Sequence, residues 1–349
     1  MSSKQMRAAV YHGAGDIRTT DLPIPDPGPG ELLLRVAVVG ICGTDAHEYE
    51  SGSHMFPTGG FVPGHEFAGQ VVAVGEGVAG FGEGDLVACG AGVSCGRCRM
   101  CLKGATNHCA TYLTHGLQLP GALAQYVAVP ASICLEVGSL GLSPDVAALA
   151  QPMSSAVHAR RRGRAASGED VVVIGAGGIG AFLTYALAQL GAAPVVVDLD
   201  RSRLDIAGRL GADGTSTPES LPDTGGTVGP SVIYEVSGTA AGLGLAISLA
   251  VDGTRVVAVG LQDGATPIGM RRISLREIEL VGSNSHVFAA DFPEAVRLLS
   301  TRESWSDVAP VAILLDDLVG EGLQPMVEGR VTRIKTLIDP WTEHARPTV

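Results

Sequence analysis

Residues 171–200 read VVVIGAGGIGAFLTYALAQLGAAPVVVDLD, and this stretch decides the fold. Two short valine-rich runs enclose a segment with helical periodicity, and no charged residue occurs from Val171 to Val197. A charge-free segment of this length could cross a bilayer, but this one is interrupted by glycines and by Pro194. Strands of a parallel sheet are buried on both faces and read as continuous apolar runs. The stretch therefore predicts a buried strand, helix and strand, and no membrane segment.

Between the two strands lies a glycine-rich turn that satisfies the pattern G-x-G-x-x-G. It comprises Gly175, Ala176, Gly177, Gly178, Ile179 and Gly180. The first glycine of the pattern permits a tight turn, the second lets the backbone approach a pyrophosphate, and the third lets helix and strand pack closely. The start of the following helix adds free N–H donors for an anion. We predict a dinucleotide site; a glycine-rich turn in a nucleotide-free domain is the alternative.

Asp198 ends the second strand, 18 residues after Gly180. An acidic residue at this position of a dinucleotide-binding unit accepts hydrogen bonds from the adenosine ribose. Its charge would also repel the 2′-phosphate of NADP. The predicted cofactor is therefore NAD.

The 349-residue chain is long enough for two domains, and its two halves differ in character. Strand-like runs and proline-rich turns fill residues 7–40, and further strand-like runs follow. A helical pattern begins near Ser143, and from Asp170 apolar strands alternate with helices, which indicates a doubly wound parallel sheet. The strand-like run at 331–340 is predicted to return to the first domain. The predicted fold class is α/β, with a β-rich domain and a Rossmann domain.

The formal net charge of −12 argues against nucleic acid and anionic membranes as partners. Seven cysteines, four of them at metal-ligand spacing, fit a reducing compartment better than a disulfide scaffold. The residues MSSKQMRAAV at the N-terminus lack the apolar core of a signal peptide. We expect a cytoplasmic protein that acts on a small molecule.

Four cysteines form the pattern C-x2-C-x2-C-x7-C in a polar, glycine-containing segment. They are Cys95, Cys98, Cys101 and Cys109. Four thiolates complete the tetrahedral shell that zinc prefers in closed structural sites. Iron–sulfur proteins usually have a last spacing of three followed by proline, whereas here the spacing is seven and Ala110 follows. The pattern predicts structural zinc; an iron–sulfur cluster and free or disulfide-bonded thiols are the alternatives.

A second group of metal-binding side chains lies upstream. Cys42 occurs in the segment GICGTDAH at 40–47, and His65 occurs in the segment GHE at 64–66. A thiolate and an imidazole are good zinc ligands, and a catalytic zinc site leaves one position for water or substrate. Taken singly, Cys42 could be a small buried residue and His65 a structural one. Their occurrence with a four-cysteine pattern and a dinucleotide turn favours a catalytic zinc site.

Together these motifs resemble the zinc-dependent medium-chain dehydrogenase/reductase superfamily, in its alcohol and polyol branch of butanediol- and sorbitol-dehydrogenase-like enzymes. The resemblance is carried by C-G-T-D-x-H at 42–47, G-H-E at 64–66, the cysteine segment at 95–109 and G-A-G-G-I-G at 175–180. It implies a GroES-like catalytic domain, a Rossmann domain, an active-site cleft between them, and assembly as a homodimer or homotetramer.

The same resemblance implies domain limits. The GroES-like domain would span 1–150, would contain the structural zinc segment, and would be completed by 290–349. The Rossmann NAD-binding domain would span 151–289.

The resemblance also implies roles for individual residues. Cys42 and His65 would ligate the catalytic zinc, with Glu66 beside it as an occasional ligand. Thr44 would contact the substrate hydroxyl and accept its proton, and His47 would form the outer end of a proton relay through the nicotinamide ribose. The residues implied in NAD binding are the glycine-rich turn with Ile179, then Asp198, Arg203, and Val259 to Leu261.

Two positions depart from the family pattern. The third zinc ligand, direct or through water, is usually cysteine or glutamate in a motif like A-E-P, and here the motif reads Ala150-Gln151-Pro152. Glutamine is a weak, neutral ligand, so a zinc site with Gln151 would carry one negative charge less. Sorbitol-type enzymes often carry an Arg-Tyr pair shortly after the glycine matched by Gly282, where this chain has SNSH at 283–286. Direct sorbitol recognition is therefore not predicted.

The resulting expectation is a zinc-dependent oxidoreductase that transfers a hydride between NAD and a secondary alcohol, vicinal diol or polyol. One alternative is a zinc-free type of reductase of the same superfamily, acting on quinones or enones. The other is a non-enzymatic NAD-binding redox sensor, for which Gln151 is the single hint.

Overall fold

The computed structural model describes residues 4–52, 55–221, 229–262, 264–331 and 333–349. They form two compact units, one containing the chain up to Ser154 and again from Val287, the other containing Ser155–His286. The domain boundaries predicted from the sequence are 150/151 and 289/290. None of the helices in these residues is long and apolar enough to cross a membrane.

The first unit consists mostly of β-structure. Its strands are β1 (Gln5–Gly13), β2 (Asp16–Pro23), β3 (Glu31–Gly40), β4 (Glu66–Val74), β5 (Leu86–Cys89), β6 (Gly92–Val93), β7 (Leu113–Thr114), β8 (Tyr126–Pro130), β9 (Cys134–Glu136), β16 (Val311–Leu314), β17 (Leu337–Asp339) and β18 (Arg346–Pro347). Its helices are α1 (Gly43–Ser51), α2 (Arg99–Leu102), α3 (Pro144–Ala147), the start of α4 (Ala150–Gly163), α9 (Phe288–Ser300) and α10 (Gln324–Val327).

Eight strands of this unit form one sheet. Along it the order is β18-β16-β17-β3-β4-β5-β9, and β8 also pairs with β3. Leu337 of β17 lies opposite Gly40 of β3, so the C-terminal segment pairs with a strand from the N-terminal part of the chain. Leu32 and Ile338 belong to the same buried core. Gly40 also lies opposite Glu66, the first residue of β4, so the ends of three strands meet beside the predicted metal ligands.

The described strands of the second unit form one parallel sheet. Its strands are β10 (Asp170–Ile174), β11 (Ala193–Val197), β12 (Gly214–Ser216), β13 (Val232–Glu235), β14 (Arg255–Ala258) and β15 (Glu279–Gly282). Its helices are the rest of α4, then α5 (Gly178–Leu190), α6 (Arg201–Arg209), α7 (Ala240–Leu249) and α8 (Met270–Leu275). The strand order is β12-β11-β10-β13-β14-β15, and every pair is parallel. This is the predicted doubly wound sheet.

The order of strands reverses between β10 and β13, and ligands of such sheets bind beyond the carboxyl ends of the strands at this point. The glycine-rich turn follows β10 here. Gly175 has φ +105°, and a Cβ on Gly180 would lie 1.8 Å from the carbonyl oxygen of Gly175. The turn therefore requires glycine for its backbone conformation at one position and for close packing at the other.

Candidate active site

Cys42 lies at the junction of β3 and α1, where it is the N-cap residue of the helix. Its backbone N–H donates to Oδ2 of Asp45 at 2.9 Å, and Asp45 is buried in the first helical turn. An acidic side chain that reaches back to the N-cap in this way fixes the start of a helix. Thr44, the next residue but one, has its Oγ1 3.8 Å from the Cys42 sulfur. The turn thus presents a thiol and a hydroxyl side by side.

The pairing of β3 with β4 brings His65 and Glu66 to Cys42. One potential ligand atom from each of the three residues lies within 4.8 Å of the other two. His65 and Glu66 are buried, and Cys42 is half-buried. A thiolate, an imidazole and a carboxylate this close together form a donor set that suits zinc.

The electrostatics around His65 also fit a cation. Burial lowers the pKa of His65, but the charges of Asp45 and Cys42 outweigh it and hold that pKa well above its usual value. Nδ1 of His65 lies 3.6 Å from Oδ1 of Asp45, and among the described residues neither atom has a hydrogen-bond partner. Metal-ligating histidines usually donate their other ring N–H to a carboxylate, a backbone carbonyl or water, and Asp45 is in place for this. Asp45 was not among the predicted site residues, although it lies inside the C-G-T-D-x-H motif.

Lys335 is a second residue that the sequence analysis missed. Its side chain is almost fully buried, its Nζ donates to the carbonyl oxygen of Ile41 at 3.1 Å, and it forms a short ion pair with Glu66. Burial lowers the pKa of Lys335, and the charges of Glu66 and Cys42 raise it by more, so the ammonium form is held. The buried ammonium group of Lys335 is therefore the counter-ion of Glu66.

The other predicted residues of this site lie on two helices. Thr44 and His47 are the second and fifth residues of α1, and both are partly buried. Gln151 is the second residue of α4. Its backbone carbonyl oxygen accepts a hydrogen bond from the Ser154 hydroxyl at 2.7 Å. Their roles in catalysis and metal binding stay predictions.

The cysteine segment folds into a compact site around α2. One sulfur from each of the four predicted cysteines lies within 4.8 Å of the others, and none is disulfide-bonded. The Cys109 sulfur accepts a hydrogen bond from the N–H of Cys95, and with Thr111 this lowers the pKa of Cys109 to about 6. Burial and neighbouring thiols raise the pKa of Cys101 to about 11. A cation among the sulfurs would favour all four thiolates, as structural zinc does.

Cys98→Ser is expected to remove one zinc ion per chain and to lower the melting temperature by about 5 °C or more, because structural zinc contributes to folding. Metal analysis and thermal unfolding measure both effects. Arg99→Ala, at the exposed neighbouring position, is the matched control and should keep the full zinc content. Unchanged zinc in Cys98→Ser would refute the structural assignment.

The predicted cofactor residues of the second unit lie at the carboxyl edge of its sheet. Asp198 accepts hydrogen bonds from the N–H of Ala176 at 2.6 Å and of Asp200 at 2.9 Å, so its carboxylate lies against the glycine-rich turn. Gly177 is the N-cap residue of α5. The predicted contact residue Arg203 lies near Asp200, with 3.7 Å between Nε and Oδ2.

Two leucines on this edge are largely exposed. Leu199 is 77% exposed next to Asp198, and Leu261 is 75% exposed in the loop after β14. Val259, at the start of that loop, donates its N–H to the carbonyl oxygen of Glu235 at 2.9 Å. Leu261 is predicted to contact NAD and Leu199 is not. Leu199 is nevertheless exposed to the same degree, and it directly follows Asp198.

Two family models match the chain: the alcohol dehydrogenase GroES-like domain over residues 28–139 and the zinc-binding dehydrogenase over residues 178–301. The sorbitol dehydrogenase of Bacillus subtilis (strain 168) is 32% identical over 311 residues, which cover 85% of this chain and 87% of that protein. The β-rich unit is therefore GroES-like, and the predicted fold class is confirmed.

Solved structures give the same result over nearly the whole chain. The 2R,3R-butanediol dehydrogenase of Bacillus subtilis has a TM-score of 0.87 and 29% identity, covering 96% of this chain and 99% of its own. A protein described as a zinc-binding dehydrogenase from Sinorhizobium meliloti 1021, bound to NADP, has a TM-score of 0.88 and 27% identity, covering 97% and 100%. Together with the two clusters of metal-binding side chains, these similarities place the chain in the zinc-containing medium-chain alcohol dehydrogenase superfamily.

Proposed function

We propose that this protein is a zinc-dependent dehydrogenase that transfers a hydride between NAD and a secondary alcohol, vicinal diol or polyol. The observation that carries the proposal is the cluster of Cys42, His65 and Glu66 within 4.8 Å, with the Thr44 hydroxyl beside the thiol. Sorbitol and butanediol dehydrogenases are among the similar proteins, which supports a substrate with hydroxyl groups on neighbouring carbons.

Cys42 and His65 would hold the catalytic zinc, and Glu66 and Gln151 are the side chains proposed for its remaining protein contacts. When bound, zinc supplies Lewis acidity towards the substrate oxygen, and NAD supplies the hydride acceptor. The chain supplies the rest of the site. Asp45 faces Nδ1 of His65 and would fix the tautomer that presents Nε2 to the metal. Lys335 pairs with Glu66 and would offset the charge of that carboxylate beside the ion.

Proton movement would use two side chains of α1. Thr44 lies beside the ligand Cys42, so its hydroxyl can accept the proton of a substrate hydroxyl and pass its own proton onward. His47 lies three residues later on the same helix and is partly exposed, which suits a group that exchanges protons with solvent. We propose that these two residues are the inner and outer members of the relay.

A panel of secondary alcohols, vicinal diols and polyols tests the substrate class. NADH formation with members of one of these groups, absent with primary monoalcohols, is the expected result. Reduction of quinones or enones that persists in zinc-depleted protein would instead support the zinc-free type of reductase.

Asp198→Ala is expected to relax the preference for NAD over NADP by about tenfold or more in kcat/KM, because it removes a charge that repels the 2′-phosphate. Asp198→Asn is the matched control, since an amide oxygen can still accept the N–H of Ala176 while the charge is lost. If charge sets the preference, both variants relax it. Equal turnover of NADP and NAD by the wild type would contradict the role of Asp198, a real test given the NADP-bound relative.

A further inference from the structure

Glu235 is a fully buried carboxylate at the end of β13, beside the point where the strand order reverses. Its Oε1 accepts three hydrogen bonds: from the N–H of Ser237 at 2.8 Å, from the hydroxyl of Ser237 at 2.5 Å, and from the N–H of Gly238 at 3.1 Å. The carboxylate thus fixes the loop that leaves β13.

The second carboxylate oxygen reaches the loop after β14. Oε2 of Glu235 accepts a hydrogen bond from Nε2 of Gln262 at 3.4 Å. The side-chain carbonyl oxygen of Gln262 in turn accepts a hydrogen bond from the Thr266 hydroxyl at 2.7 Å. All these donors are neutral. Within the part of the chain that the structure describes, no Lys, Arg or His nitrogen lies within 4.0 Å of the Glu235 carboxylate. Fully buried glutamates are rare unless they are paired with a charge, and Glu235 has only these neutral partners among the described residues.

Glu235 lies on the side of the sheet where one half of a bound dinucleotide is expected. In sheets of this kind, the two halves of the cofactor lie on either side of the reversal point, with the pyrophosphate at the first glycine-rich turn. Asp198, which follows β11, would mark the adenosine half. The nicotinamide half would then lie over β13 and β14. The two loops held by Glu235 touch there, since a Cβ on Gly238 would lie 2.8 Å from the carbonyl oxygen of Leu261.

We propose that Glu235 is a positioning residue whose buried charge also favours the oxidised cofactor. The oxidised nicotinamide ring is a cation and the reduced ring is neutral, so a nearby carboxylate lowers the energy of the oxidised form alone. Such an interaction is screened weakly in a protein interior. This inference rests on the proposed function, because it requires that the second unit binds NAD.

The test is the ratio of the dissociation constants of NAD⁺ and NADH, measured by calorimetry and by NADH fluorescence. Glu235→Gln keeps the size of the side chain and removes the charge. It should raise the ratio Kd(NAD⁺)/Kd(NADH) by about tenfold, mainly by weakening NAD⁺. A loss of affinity that is equal for both nucleotides, or an unchanged ratio, would mean that Glu235 only supports the loops and would overturn the proposal.

A second pair of variants covers the case that Glu235→Gln does not fold. Gln262 is only half-buried, and Gln262→Lys would place an ammonium group beside the intact carboxylate. The same rise in the ratio is expected, whereas Gln262→Met, which loses the hydrogen bond without adding charge, should leave the ratio within about twofold. An unchanged ratio in Gln262→Lys would overturn the proposal. A wild-type protein that binds neither nucleotide would overturn the proposed function, and this inference with it.

Discussion

Thr44→Val is expected to lower turnover by about 10²–10⁴-fold, the usual contribution of general acid–base assistance, while zinc content and NADH affinity stay at wild-type levels. The substitution keeps the shape of the side chain and removes the hydroxyl that lies 3.8 Å from the Cys42 sulfur. Steady-state rates, metal analysis and NADH titration on one preparation measure all three quantities.

The competing explanation is that Thr44 merely stabilises the turn after Cys42. In the structure, Asp45 stabilises this turn, because its carboxylate accepts a hydrogen bond from the backbone N–H of Cys42. Thr44→Ser is the matched control, because it retains the hydroxyl and should retain most of the turnover. Wild-type turnover in Thr44→Val would end the relay hypothesis, and loss of zinc together with activity would support the structural role.

Cys42→Ser should abolish measurable alcohol oxidation and remove one of two zinc ions per chain. Serine replaces a strong anionic ligand with a neutral hydroxyl, and the cluster then retains one imidazole and a carboxylate already paired with Lys335. The zinc held by the four-cysteine segment should remain, so the melting temperature should change less than in Cys98→Ser. These two variants are controls for each other, since each should lose a different ion. Full zinc content in Cys42→Ser would refute the assignment of this cluster.

The parts of the fold that could be predicted from sequence are those with a local physical signature. Apolar runs with a glycine-rich turn identify the parallel unit, because strand burial and close backbone packing both constrain residues 171–200 directly. The helical pattern that begins near Ser143 was less informative. The structure divides it into α3 and α4, and Pro152 lies in the first turn of α4, where proline is tolerated.

The missed site residues depend on contacts between distant parts of the chain. Lys335 is 269 positions from Glu66 in the sequence. Its strand-like surroundings do not indicate that it pairs with a buried carboxylate. The pairing of β17 with β3 creates that contact. Asp45 lies next to the predicted residues, but its contact with His65 depends on the pairing of β3 with β4, which brings the residue just before β4 to it. Glu235 is hidden for a similar reason, because its partners follow two different strands.

The central claim is that the zinc bound near Cys42 and His65 is required for NAD-linked alcohol oxidation. The most direct measurement follows the rate of alcohol-dependent NADH formation while zinc is restored stepwise to metal-depleted protein. We predict no turnover without metal and a full rate when both clusters of metal-binding side chains are filled, at two zinc ions per chain. Alcohol-dependent NADH formation by the metal-free protein, at a rate close to that of the zinc-loaded form, would contradict the claim.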